Sequence, residues 1–473
     1  MNKFNFGSEL PDDFWGEDVK AAVAKFEKML KENETYYFDY DVYRNIIDFY
    51  FTQRDVNKAT KAIEYALQQF PNNTSVLVKK AQVLMLKDKN KEALNLLNEI
   101  EDFSKNDLEY LITKAGIHTQ LGLHKIAISC YKTAIQLPNA PVEIHLFIAL
   151  EYLSIQDTKT ALSHLQKVTN EQPDNVMALE ELVACHRTLD QPQKAIVDLK
   201  SIINNHPYSI HAWFCLATFQ IEMEDTENAI ESFDFCISID PNCVPAYMGK
   251  ASIHREQEKY EQAIAIAKEA LEVEDENIAM VHIFIAECYE DIDNPQEAIL
   301  HATQSTELSP DLEAAWAVLA SALYNNKQYK QALKAVKRAL KIDPNYTNAL
   351  IILADIQADL QKHEEAIATY QRIFELEPNN TTIWIDYAFL LEKINMIEEA
   401  IETLRLASIM YEEISDYQYY MAYFYMQIDK PRKAVNHFKK GIAINPEKSI
   451  EIVEEFDILL TNPTIKKLMT PKL

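Results

Sequence analysis

The sequence predicts an all-α fold: a right-handed α-solenoid superhelix of about twelve helical hairpins with a capping helix at each end. Three observations predict it. Eight prolines (Pro71, Pro173, Pro207, Pro241, Pro310, Pro344, Pro378 and Pro446) fall on a 34-residue grid, with one single-residue slip between Pro241 and Pro310. An alanine precedes each by the same interval, at Ala59, Ala161, Ala195, Ala229, Ala298, Ala332, Ala366 and Ala434, and Ala93, Ala127, Ala263 and Ala400 keep that column where the proline is missing. Apolar residues recur around these alanines at helical spacing. A fixed period of this length marks a stacked array whose units touch only their neighbours.

In chain order, residues 1–39 form an N-terminal segment with one amphipathic helix, its apolar face carrying Val19, Ala22, Val23, Phe26, Met29 and Leu30. Twelve repeats occupy 40–448, starting near Tyr40, Thr74, Leu108, Val142, Val176, Ile210, Val244, Ala279, Glu313, Thr347, Thr381 and Ser415. Positions 4, 7, 8 and 11 of each repeat make one buried face and positions 20, 24 and 27 a second. Small residues at 8 and 20 let the two helices approach, and bulk such as Trp213, Trp316 and Trp384 at position 4 fills the space beside them. The proline at position 32 ends the second helix, whereas Pro192, Pro295 and Pro431 suit its first turn. Lys105, Asn139, Asp275 and Glu412 stand where that terminal proline is expected. Residues 449–473 supply a C-terminal capping helix through Ile450, Val453, Phe456 and Leu459.

Composition narrows the function. The 473 residues carry a formal net charge of −27, which disfavours nucleic acid and anionic membranes. No stretch is long and apolar enough to span a bilayer, and no signal peptide is visible. The six cysteines have irregular spacing without a CxxC pair, as expected of reduced thiols in a cytoplasmic protein. Six glycines cannot build a phosphate-binding loop, and their scarcity fits short turns that need little positive φ. No catalytic motif, metal site or cofactor site is visible. His118, His186 and His254 share position 11 but face the packed interior. The basic stripe Lys327, Lys330, Lys334, Lys337, Arg338 and Lys341 reads as a solvated outer face.

The pattern resembles the tetratricopeptide repeat family. The segment AAWAVLASALYNNKQYKQALKAVKRALKIDPN (314–345) matches its motif closely, and TIWIDYAFLLEKINMIEEAIETLRLA (382–407) matches well. The resemblance covers residues 40 to about 448 and is specific for fold rather than for function. It implies that first-helix positions 2, 5, 6, 9, 12 and 13 line a concave groove that holds an extended peptide or a partner helix. Here those positions place Phe147, Leu150, Phe214, Ile221, Phe284, Tyr324, Tyr420 and Tyr423 as apolar walls, with Leu146, Leu153, Cys215, Ile283, Ile351, Ile352, Tyr419 and Met426 among their neighbours. Glu181, Glu287, Asp291 and Asp355 lead the acidic members, and sixteen acidic side chains face five basic ones over the whole set.

The expected partner is therefore a protein or peptide carrying Lys or Arg between apolar anchors. The chain is expected to be a non-enzymatic interaction scaffold. The alternative is a self-assembling or complex-stabilising subunit whose groove is filled by another copy or by its own terminus, with FNFGSELPDDFW as one inserted strand. The first three repeats, with Arg44, Asp48, Lys79, Glu109 and Thr113, lack the Lys/Asn clamp by which chaperone-tail adaptors of this family grip a terminal carboxylate.

Overall fold

A computed structural model describes residues 15–32, 34–273 and 277–469, and among these every regular element is helical. The fold is an all-α solenoid of twelve two-helix repeats. Its contacts divide it into two compact units, Met1–Pro241 and Asn242–Leu473. The first unit opens with the helix Glu17–Glu32, which buries Val23, Phe26 and Met29. Six hairpins follow, from Tyr40–Thr52 with Val56–Gln69 to Ile210–Glu222 with Thr226–Ile239. The second unit holds six more, from Val244–Glu256 with Tyr260–Ala270 to Ser415–Gln427 with Pro431–Ile444. Apart from Trp15, the FNFGSELPDDFW segment lies outside the described residues, as does Asp275.

The alanine columns behave as expected. Ala81, Ala115, Ala149, Ala217, Ala320 and Ala422 at position 8, and all twelve alanines at position 20, are wholly buried. Position 27 shows why such residues are small. In the last repeat it is Gly441, and a Cβ there would lie 2.7 Å from the Tyr419 ring. The buried Tyr419 fills that gap and donates its hydroxyl to the Asn445 carbonyl at 2.7 Å.

Position 4 differs from expectation. Trp213, Trp316 and Trp384 are only half-buried, while position 3 (Ala212, Ala315, Ile383, Tyr417) is almost wholly covered. The indole tips of Trp213 and Trp316 instead donate to the carbonyls of Pro207 and Pro310, each at 2.9 Å. These tryptophans tie a repeat to the turn before it.

The grid prolines act through the residue ahead of them. Phe70, Gln172, His206, Asp240, Ser309, Asp343, Glu377 and Asn445 all precede a grid proline, and all have φ between −122 and −138° with positive ψ. Proline excludes its predecessor from the helical region, so the helix stops there. Of the four repeats without the proline, Tyr411 adopts the same conformation (φ −134°). In the other three the second helix is shorter: Asn90–Glu99, His124–Ala134 and Tyr260–Ala270.

Glycine scarcity does not mean that positive φ is absent. Position 15 of every repeat is left-handed: Arg54, Asp88, Gly122, Gln156, Asp190, Glu224, Glu258, Asp293, Lys327, Gln361, Asn395 and Asp429. Each follows the first helix. In the second repeat Asp88 N–H donates to Met85 O at 3.0 Å and Lys89 N–H to Leu84 O at 2.8 Å. That pair of bonds is the Schellman arrangement, and it satisfies carbonyls the helix end would otherwise leave open.

The C-terminal cap is not one helix. Lys448–Glu455 ends at Phe456 (φ −125°), a 3-10 turn spans Asp457–Thr461, and Pro463–Met469 follows. Val453, Leu459, Ile465 and Met469 are buried with Tyr419 and Phe438 of the last repeat.

Two substitutions test the turn. Gly122→Ala will cost about 1–2 kcal/mol in urea unfolding, the penalty of an L-residue at positive φ. Gln361→Gly will stabilise by up to about 1 kcal/mol, because relief of that strain outweighs the added freedom of the unfolded chain. A destabilised Gln361→Gly would remove the strain argument.

Candidate functional site

The candidate site is the first-helix face, where positions 2, 5, 6, 9, 12 and 13 bring charge and apolar surface together. Position 5 is the least available of these. Leu146, Ile283 and Tyr419 are buried, so they belong to the core. Phe284 at position 6 is largely covered, yet with Arg255, Glu256, Tyr260 and Asp291 it lines a cavity of about 430 Å³ on this face. It is 9% exposed, packs with Val281, Ile285 and Cys288, and lies under the Arg255 guanidinium at 5.7 Å. Its helix follows a shortened second helix, Tyr260–Ala270, and Ile264 and Ala267 share its cluster.

In the first unit, Phe147 is half-buried with its ring 5.6 Å from Tyr131, and Leu150 is half-buried against the core of the fourth to sixth repeats. Phe214 is half-buried and meets Phe233 edge-on at 5.6 Å, and Ile221 is half-buried one turn beyond the middle of the same helix. A cavity of about 430 Å³ opens between the fifth and sixth repeats, walled by Phe214, Cys215, Ala184 and Val183. Glu180 and Glu181 stand at its edge, and neither forms an ion pair among the described residues. Arg187 is held to Glu222 by two bonds, one of them Nε to Oε2 at 2.8 Å. Burial pushes the Cys215 thiol up to about 11, and the nearby Glu180 charge adds to this, so it is not a nucleophile near neutrality.

In the second unit, Arg255 Nη1 donates to Glu287 at 2.6 Å and Nε to Asp291 at 2.7 Å. Both acids were expected to be open to a partner, and both are already neutralised. Next to them Glu290 accepts from Ser321 Oγ and Asn325 Nδ2, each at 2.8 Å. Burial raises its carboxyl to about 7, helped by the charges of Glu287 and Asp291 and opposed by those two hydrogen bonds. Asp355 is raised by burial to about 6 although Lys393 pulls the other way. Tyr324 receives a hydrogen bond from Lys393, whose ammonium also lies 5.2 Å from its ring centre. Tyr420 and Tyr423 are brought together with the chain's own terminus, their rings 6.0 and 4.0 Å from Phe456.

A rule links these observations. All five basic side chains of the face (Arg44, Lys79, Arg187, Arg255 and Lys393) contact acids on the same face. Lys79, for example, bridges Asp48 of the first repeat and Glu109 of the third. Sequence reasoning counted these cations without pairing them. The signal was legible in Arg187–Glu222 and Arg255–Asp291, an Arg at position 12 followed by an acid at position 13 of the next repeat.

Two histidine pairs are also enclosed between helices. His145 and His164 meet through their Nδ1 atoms at 2.7 Å, and His282 and His301 at 2.9 Å. Tyr152 and Tyr289 stack on them, and Lys132 and Lys268 donate to the tyrosine hydroxyls. Burial, then the neighbouring imidazole, depresses His164 and His301 to about 4, so both pairs are neutral near pH 7. No group of three or more His, Cys, Asp or Glu able to hold a metal occurs among the described residues.

Twelve helical hairpins stacked on one period, with side chains gathered on the first-helix face, define a helical-repeat protein. The profile of the tetratricopeptide repeat protein 21 C-terminal ARM domain matches residues 132–304. That of anaphase-promoting complex (cyclosome) subunit 3 matches 296–373, and the tetratricopeptide repeat profile matches 357–422. The chain belongs to the tetratricopeptide repeat family.

Similar solved structures include the anaphase-promoting-complex hetero-tetramer Cut9–Hcn1, with 14% identity over 97% of this chain and 93% of that one and a TM-score of 0.40. Yeast Tom70 has 14% identity over 96% of this chain and 100% of that one, with a TM-score of 0.45. YrrB, a TPR protein with an unusual peptide-binding site, has 17% identity over 39% of this chain and 95% of that one, with a TM-score of 0.31. No curated protein matches the chain. No helix among the described residues is long and apolar enough to cross a membrane.

Two measurements check the site. Phe284→Ala will lower stability by about 3 kcal/mol, as core aromatic truncations do; an unchanged melting curve would return Phe284 to the open face. Glu290 keeps its proton in the folded chain up to about pH 7, whereas the unfolded chain releases it near 4.5, the ordinary value for a glutamate. Its contribution to stability is therefore present at low pH and lost as pH rises through 7. Glu290→Gln will gain stability over wild type at pH 8 relative to pH 5, and a pH-independent difference would contradict the burial argument.

Proposed function

We propose that this protein is a non-enzymatic interaction scaffold that takes up a segment of a partner protein bearing Lys or Arg between apolar residues. The observation that carries the reading is the cavity between the fifth and sixth repeats. It has apolar walls from Phe214, Cys215 and Val183, and two carboxylates, Glu180 and Glu181, without ion-pair partners among the described residues. An aliphatic stem fits such walls while its charged head meets the carboxylates at the edge. The charge contributes on-rate and selectivity more than raw affinity. A rigid repeat framework lowers the ordering cost on the protein side. The free cysteines, Cys130, Cys185, Cys215, Cys236, Cys243 and Cys288, suit a reducing compartment such as the cytoplasm.

A second reading applies to the last repeat. The packing of Phe456 over Tyr423 favours occupation of that stretch by the chain's own terminus, so the partner segment would bind elsewhere.

The test is fluorescence anisotropy with a labelled ten-residue peptide of alternating Lys and Leu. Full-length wild type will bind it with an affinity that falls as salt rises. Glu180→Gln/Glu181→Gln will weaken binding by about tenfold and flatten the salt dependence. Equal binding by a folded double variant would exclude this cavity as the site.

A further inference from the structure

We propose that Asp355, Asp359 and Tyr324 form a subsite for a partner's lysine or arginine side chain, and that Lys393 is its built-in occupant, displaced when the partner binds. This rests on the groove reading above and names a regulated position within it.

The geometry already shows how the subsite holds an ammonium. Lys393 ends the helix Thr382–Lys393 in the eleventh repeat. Its Nζ lies 3.0 Å from Asp359 Oδ1 and 3.8 Å from Asp355 Oδ1, both in the tenth repeat. It goes on to the ninth repeat, donating to the Tyr324 hydroxyl with its charge 5.2 Å from the ring centre. One side chain therefore crosses a whole repeat along the face a partner segment would follow. Two carboxylates, a hydroxyl and an aromatic face are the groups that would receive a foreign cation.

Three features mark Lys393 as exchangeable. Charge does not balance: Asp359 and Asp355 share one ammonium, and the charge of Asp386, which has no ion-pair partner among the described residues, reaches Asp355 as well. The chemistry of the occupant also differs from the other strong clamps of this face. Arg187 and Arg255 hold their acids through two guanidinium bonds each, whereas Lys393 is a point charge on a flexible stem. Finally, its side chain is about one-third exposed, so a released ammonium regains water at once and the ordering of its stem is recovered. A guanidinium from a partner would make the bidentate bonds to Asp359 and Asp355 that the ammonium does not make.

The experiment uses the full-length chain and a fluorescein-labelled, N-acetylated tetra-arginine amide. Lys393→Met keeps the aliphatic stem and removes the charge. Loss of the ammonium removes an influence that lowers the Asp355 pKa, so binding is measured at about pH 8.5 to favour the carboxylate form. Circular dichroism and a melting curve confirm that each variant is folded. Lys393→Met is expected to bind the probe about tenfold more tightly than wild type, and the gain is expected to vanish when Asp355→Asn and Asp359→Asn are added. Equal binding by wild type and Lys393→Met, with loss only in Glu180→Gln/Glu181→Gln, overturns the displacement proposal and leaves the groove reading intact. A gain that survives Asp355→Asn/Asp359→Asn also overturns it. No binding by any variant overturns both.

Discussion

Every hairpin in this chain reverses through one residue held at positive φ, and the other geometry depends on that reversal. The left-handed residue at position 15 lets its own amide and the one after it fold back on the last carbonyls of the first helix. This fixes the angle at which the second helix leaves, and with it the approach of position 8 to position 20. Eleven of these residues carry a side chain, and only Gly122 escapes the steric cost. Such strain persists because the surrounding packing over-determines the turn: the alanines on either side are completely buried and leave no room for a different crossing.

The first-helix charges have two roles. Lys79, Arg187, Arg255 and Lys393 each join carboxylates of neighbouring repeats, so part of the acidic surface acts between adjacent first helices. The more exposed of these pairs, such as Arg187–Glu222, contribute modestly to stability, about 0–1 kcal/mol each. Their larger effect is on what remains. Once the internal cations are assigned, Glu180, Glu181 and Asp386 are among the acids left without an ion pair among the described residues, each beside apolar or aromatic surface. A face that looks uniformly acidic along the chain thus resolves into a few discrete places.

Period, helix limits and alanine columns were legible because each is enforced by a local rule that repeats twelve times. Ala320 and Ala332 could be placed without coordinates, since only a small residue fits where two helices cross. The tryptophans were misjudged because size was taken for depth. Trp316 has an indole N–H that needs a partner, and the nearest is the Pro310 carbonyl at the surface of the preceding turn. The depth of Phe284 was not legible because its column is open in some repeats and largely covered in others, and here the Arg255 guanidinium lies over a ring that still borders a cavity. The cover that Phe456 forms over Tyr423 lay beyond a periodic reading, since the terminal segment belongs to no repeat. Of the five groove cations, Arg44 pairs within its own helix and Arg187 and Arg255 follow the 12-to-13 spacing, whereas Lys79 and Lys393 reach acids of adjacent repeats that spacing alone does not single out.

The shortened second helices leave more chain between repeats without loosening the stack. Asn90–Glu99, His124–Ala134 and Tyr260–Ala270 end three or four residues before their counterparts, such as Tyr329–Ile342. Each still packs against the first helix of the repeat that follows, so the coupling between neighbours is kept although the last turn is missing. The extra chain between such repeats is not needed for stacking, and it is where the array has room to accept an insertion.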